Sequence, residues 1–149
     1  MAYIYKYGNE YNDTTGGWAL SSNYGGSSHG DTISKTANSM TFSSSFVGNS
    51  HFALGYLRTN NLIKLDDVSM ITAILKNVSI NSIIPMYFCI SEDDSATPSA
   101  VVQTNILTGD TKVSLDVATI KGEYRVGFSA GMGSSSASST ISITEIYFT

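Results

Sequence analysis

The sequence predicts an all-β fold: a two-layer antiparallel β-sandwich of jelly-roll type with about ten strands, in one domain over residues 1–149. Three observations carry that expectation. Apolar side chains recur at every second residue through much of the chain, the period at which a pleated strand turns one face inward. Clusters of Gly, Asn, Asp and Ser interrupt those runs at intervals of roughly 8–15 residues. No stretch makes a convincing amphipathic helix.

The first strand is "YIYKY", in which Tyr3, Tyr5 and Tyr7 alternate with Ala2, Ile4 and Lys6, a pattern read as a sheet face or subunit contact. "NDTTGG" is a tight connection: Asn12 and Asp13 suit turn positions, and Gly16 and Gly17 permit positive φ before the strand that Trp18 begins. "DTISKTANSMTFSSS" gives two short strands, and "HFALGYLR" adds one with Tyr56 and Arg58 on a common face. "VSMITAILKNVSI", "IIPMYFCISE" and "SAVVQTNIL" are richer in apolar residues and read as more central strands. The β-branched content of the first weighs against a helix there. In the second, Tyr87 falls opposite Met86, Phe88 and Ile90, and Cys89 reads as a small core or sheet residue.

"EDDSATPSA" is a polar loop, and "NILTGDTKV" is expected to be a hairpin with "TGD" as its loop. "TKVSLDVATI" places Val113, Leu115 and Val117 on one face, and "EYRVGFSAG" does the same with Tyr124, Val126 and Phe128 against Arg125 and Ser129. Between them, "ATIKGE" is a short connector. "GMGSSSASS" is a loop tip that cannot pack a core. In "SSTISITEIYFT" the apolar phase slips between Ile143 and Ile146, and one extra residue near Thr144 and Glu145 would restore inward packing, which predicts a β-bulge.

Composition narrows the function. The net charge is -4 and the eight Lys and Arg residues are scattered, so no nucleic-acid partner is expected. No run of about 18 apolar residues exists, so no membrane insertion is expected. The start "MAYIYKYGNE" lacks the basic and apolar regions of a signal peptide, which predicts cytoplasmic synthesis. One cysteine leaves no internal disulfide and no thiolate zinc site.

Catalysis finds little support. His29 and His51 stand in unlike settings, no H-E-x-x-H or G-x-S-x-G motif occurs, and most carboxylates sit at strand ends or turns. No cofactor is expected, with one metal candidate: a structural calcium at Glu10 and Asp13, since such ions take oxygens from loop carboxylates. Sugar binding fits the residue supply better. Carbohydrate sites pair an aromatic face with short polar groups and an Arg or amide. Trp18, Tyr11 and Tyr24 lie in or beside Gly- and Asn-rich loops, Tyr56 and Arg58 share a strand face, and Tyr87 is read as outward. For Trp18 the plainer alternative is a core plug at a strand start.

"YIYKYGNEYNDTTGGW", with "LIKLDDVSMITAILKNVSI" and the closing "ISITEIYFT", resembles the carbohydrate-binding-module-like terminal domains of tail and fibre proteins of phages and prophages of Gram-positive bacteria. "T-G-G-W" is the most specific piece. The resemblance implies a jelly roll on a virion, often trimeric, that recognises a host-surface glycan without chemistry. It also implies contact with other virion proteins. The competing class is a structural decoration or fibre-assembly protein whose tyrosines meet copies of itself or a neighbour.

Overall fold

The computed structural model describes residues 2–11, 14–25, 28–47, 52–93, 95, 99–131 and 136–149. Within them the chain forms strands and no helix. The first seven are β1 (Ala2–Lys6), β2 (Asn9–Glu10), β3 (Trp18–Gly25), β4 (Ser28–Lys35), β5 (Met40–Val47), β6 (Phe52–Thr59) and β7 (Ile63–Lys64). Next come β8 (Met70–Ser79), β9 (Met86–Ser91), β10 (Ala100–Ile106), β11 (Lys112–Asp116), β12 (Glu123–Ala130) and β13 (Ala137–Phe148). The excess over the expected number comes chiefly from β2 and β7, each two residues long.

Every pairing is antiparallel, in two sheets. One runs β11-β8-β13-β1-β2, with β5 also on β13 and β4 on β5. The other runs β10-β9-β12-β6-β3, with β7 on β12. β13 is the spine of the first sheet. Its start pairs with β5 and its end with β1, while β8 holds the opposite edge. The slip seen in the sequence is a bulge: the β13–β8 register shifts between Ile143 and Glu145, so Ile141, Ile143 and Ile146 are all fully buried. On β8, Asn77 adopts φ 52°, a left-handed conformation that asparagine tolerates, and lets Leu75 and Val78 both face inward.

The core lies between the sheets. Met86, Phe88, Ile90, Val126 and Phe128 from one layer meet Phe42, Ile71, Ala73, Leu115 and Ile143 from the other. Phe88 and Phe128 stack with centroids 4.9 Å apart. Burying each such side chain contributes about 1.5–3 kcal/mol, which is why the two-residue beat dominates the sequence.

Three expectations need correction. "SAVVQTNIL" forms β10, which is not a central strand but ends its sheet, paired only with β9. β10 and β11 are not a hairpin; they belong to different sheets. The turn is tight, with the Leu107 N–H donating to Asp110 Oδ2 at 2.8 Å and Gly109 at φ +87°. However, Ile106 and Leu115 must both reach the core, and placing them on opposing layers achieves that. Nor do Tyr3, Tyr5 and Tyr7 line one face. The β1–β13 register shifts between Tyr3 and Tyr5, so Ile4 and Tyr5 both turn inward, while Tyr7, at φ 50°, leaves the strand exposed.

Candidate functional site

The outer face of the β10-β9-β12-β6-β3 sheet brings together three of the side chains singled out in the sequence, Tyr56, Arg58 and Tyr87. Antiparallel register aligns them in rows. One row reads Ser21, Tyr56, Ser129, Tyr87, Asn105 from β3 to β10. The next reads Ala19, Arg58, Gly127, Cys89, Gln103. With strands about 4.8 Å apart, each row spans about 19 Å. Gln103 and Asn105 are exposed, and Arg58, Tyr87, Ser129 and Ser21 are half-buried. Neither row contains a carboxylate. Among the described residues the face is open, with no enclosed pocket.

Tyr56, Arg58 and Tyr87 therefore share one face, but they do not do the same thing there. Tyr56 is completely buried, although it lies outside the main core cluster. Its ring lies over Gly127, where a Cβ would come within 2.4 Å of Tyr56 Cε1. Ser91 Oγ donates to the Asp93 carbonyl at 2.8 Å, so the Tyr56 hydroxyl donates to Ser91 Oγ at 2.7 Å. Tyr56 is thus a floor for the face, and the expectation that it offers a ring to a ligand is corrected: no ring surface is left to offer. Burial raises its phenol far above the usual range.

Cys89 shares this floor. Burial pushes its thiol up to about 12, against smaller opposing effects of Tyr56 and Ser129, so at neutral pH it is an inert neutral thiol. The consequence for stability has a definite sign. A buried acid with a raised pKa keeps its proton in the folded chain while the unfolded chain ionises, so stability falls as pH climbs above the ordinary thiol value of 9.0. Denaturant melts from pH 8 to about 11 are expected to show that fall, with a shallower slope in Cys89→Ala.

One end of the face is held by the stretch the sequence marked as most specific. The Thr14–Gly17 segment is clamped to Asn60 and Asn61. The Asn60 side chain donates to Gly16 O at 3.0 Å and the Asn61 side chain to Thr14 O at 3.3 Å. The backbone amides of Asn60 and Asn61 donate to Gly17 O at 2.9 Å and Thr15 O at 2.8 Å. Gly16 and Gly17 have φ of 63° and 89°, and a Cβ on Gly16 would strike Asn61. Asn60 also orients both guanidiniums at this end. Arg58 Nη1 donates to Asn60 Oδ1 at 2.9 Å, and Arg125 Nη1 donates to Thr59 O at 3.0 Å and to Asn60 O.

The remaining sequence candidates lie elsewhere. Trp18 follows the clamp but points inward: it is 8% exposed, edge-on to Tyr5 at 6.2 Å and tilted against Phe128 at 6.4 Å. It is the core plug, not a ligand border. Tyr24 pairs with Ala53 on β6 at the far end of β3, and its side chain lies outside the description. Glu10 accepts from Lys35 Nζ at 2.8 Å on the other sheet, and Asp13 lies outside the described residues. Among the described residues no three His, Cys, Asp or Glu side chains converge.

Sequence reasoning missed Gln103 and Asn105 as members of the face and did not connect Ser129 and Arg125 to it. Their outward parity was legible from alternation, but their adjacency to Tyr87 comes from strand pairing. A second aromatic group sits on the outer face of the other sheet. There Tyr3 lies 5.7 Å from Tyr147 and 6.0 Å from Tyr11, with Lys6 Nζ 4.0 Å over the Tyr3 ring.

No protein-family model matches the chain, nor does any curated sequence. Solved structures do match in fold. A structure of carbohydrate-binding modules from the β-sandwich superfamily, concerned with their promiscuous specificity, matches 99% of this chain at TM-score 0.60 and 15% identity. The glycoside hydrolase domain structure of Endo-D from Streptococcus pneumoniae R6 matches 89% at TM-score 0.58 and 14% identity. The enzymatically active domain of tailspike protein 4 of bacteriophage CBA120 matches 99% at TM-score 0.55 and 15% identity. The chain spans 61%, 21% and 22% of those three chains, respectively. At such identities the likeness establishes the β-sandwich fold.

Proposed function

We propose that this domain is a non-catalytic binding module of a phage or prophage tail or fibre, holding a host cell-surface carbohydrate across the outer face of β10-β9-β12-β6-β3. The observation that carries the reading is the row Ser129, Tyr87, Asn105 beside Arg58 and Gln103: an aromatic ring among short hydroxyl, amide and guanidinium groups on one open sheet face. A ring packs on the C–H surface of a sugar, and the neighbours satisfy its hydroxyls. A row of about 19 Å suits an extended glycan of several rings lying across the strands. Neither row holds a carboxylate, so the proposed contact surface does not itself supply the paired acid and base that glycoside hydrolysis requires, which favours binding over turnover. The β-sandwich carbohydrate-binding modules and the tailspike domain that share the fold lend support to the sugar and to the virion setting. A glycan array followed by calorimetric titration of the hits tests the reading. Saturable binding supports it, and no binding at millimolar sugar rejects it.

The structural alternative draws on one observation, the tyrosine group on the opposite sheet, where Tyr7 and Tyr11 are 49% and 43% exposed. An aromatic patch of that kind suits contact with a neighbouring virion protein. Both readings place the chain on a particle. For the calcium, Glu10 is already neutralised by Lys35, and chelation is expected to leave the melting temperature unchanged. A fall of several degrees with chelator, reversed by added calcium, would restore the ion.

A further inference from the structure

Sheet edges expose unpaired backbone groups, and folded proteins ordinarily guard them with charge, proline, shortness or cover. Three edges here follow that practice. β2 is two residues long. β4 carries Asp31 and Lys35, and β11 carries Lys112 and Asp116. β3 is itself uncharged, but the Asp31 carboxylate of β4 sits on it, its Oδ2 accepting from Ser22 Oγ at 2.5 Å.

β10 is different. It ends its sheet, pairing only with β9; β11 lies beside it from the other sheet, as β4 does beside β3, but among the described residues no backbone hydrogen bond reaches its outer side. It is seven residues long, and no Asp, Glu, Lys, Arg or His occurs anywhere from Ser95 to Gly109. Val101 and Leu107, at the two ends of this segment, are 43% and 63% exposed.

We infer that β10 is a pairing edge and that its occupant is β10 of a second copy of this chain, joined antiparallel about a two-fold axis. The strand's own chemistry selects that partner and its register. A bulge between Ala100 and Val102 limits the regular ladder to Val102–Ile106, and antiparallel overlap of that stretch with itself centres on Thr104. Val102 then stands opposite Ile106 of the copy on the core side, and Gln103 opposite Asn105 on the outer side. Apolar thus meets apolar and amide meets amide, the cross-strand pairs that stabilise sheets. An isologous contact closes on itself, so the product is a dimer and not a fibre. The two open faces become one continuous sheet surface, in which the Tyr87 row of each copy runs on into the Gln103 row of the other. A contact made by one short ladder, Val102–Ile106, belongs to the weak, concentration-dependent class.

Sedimentation velocity tests the inference without a sugar, so its outcome is independent of the glycan reading. Across about 10–500 µM the mass of the full chain is expected to climb from monomer toward dimer. The double substitution Gln103→Lys with Asn105→Lys sets lysine against lysine at both amide pairs and is expected to hold the chain monomeric, with an unchanged circular dichroism spectrum. Thr104→Cys is expected to give a dimer under oxidation that reductant dissolves, because residues directly opposed in an antiparallel pair stand within disulfide reach. The buried Cys89 makes no such link in the parent chain. A parent that stays monomeric throughout, or forms trimers, overturns the inference. So does a dimer that survives the two lysines.

Discussion

Gly127→Ala is expected to destabilise the domain by about 2–3 kcal/mol, seen as a fall of about 5–10 °C in melting temperature. Gly127 sits in β12 at the middle of its sheet, with Arg58 opposite on one side and Cys89 on the other. A Cβ there would stand 2.4 Å from the Leu57 carbonyl oxygen, 2.4 Å from Tyr56 Cε1 and 3.0 Å from Arg58 Cα. Two of those three neighbours are backbone, paired into the ladder, and cannot swing aside. The third could move only by breaking the hydrogen bond from Tyr56 to Ser91, whose net loss costs about 1 kcal/mol. A Gly127→Ala, Tyr56→Ala double variant distinguishes the two sources. Recovery of most of the loss beyond that of Tyr56→Ala alone would assign the clash to the ring, and no recovery assigns it to the strand backbone. A single Gly127→Ala variant as stable as the parent would show that the sheet yields locally, and the picture of Tyr56 as a fixed floor would fail with it.

The same residues show what alternation can and cannot reveal. Val113, Leu115 and Val117, the phase slip at Ile143 and Ile146, and the outward parity of Tyr87 follow from a period of two, and each stands where that period puts it. The two-layer sandwich was legible for that reason. Pairing was not, because parity is a property of one strand and adjacency a property of two. Nothing in "SAVVQTNIL" announces that Asn105 lies opposite Tyr87, and nothing in "NILTGDTKV" announces that a tight turn changes sheets. Tyr56 marks a further limit. Its parity is outward, yet the missing side chain at Gly127 lets the ring lie down against the sheet and become buried. Trp18 illustrates the converse: a tryptophan beside a Gly-rich loop suggested a platform, while the clamp from Asn60 and Asn61 fixes the loop and leaves the indole in the core.

Tyr87→Ala is expected to weaken the proposed glycan affinity at least about tenfold, equivalent to about 1.4 kcal/mol, with no large change in melting temperature. The ring is half-buried, flanked by Ser129 and Asn105 on the neighbouring strands, and it is the one described aromatic side chain of the two rows with surface to spare. Removing it deletes the apolar platform while its polar neighbours stay in place, so the loss falls on affinity and not on the fold. Arg58→Ala is expected to cost less, because Asn60 and the clamped Gly16 hold that end of the face after the guanidinium has gone. Tyr11→Ala, on the opposite sheet, is the control and is expected to leave affinity unchanged. Calorimetric titration of the three variants against one array-selected glycan separates the possibilities. If Tyr87→Ala and Arg58→Ala bind as the parent does while Tyr11→Ala does not, recognition lies on the tyrosine group around Tyr3 and Tyr147, and the outer face of β10-β9-β12-β6-β3 is only an exposed sheet.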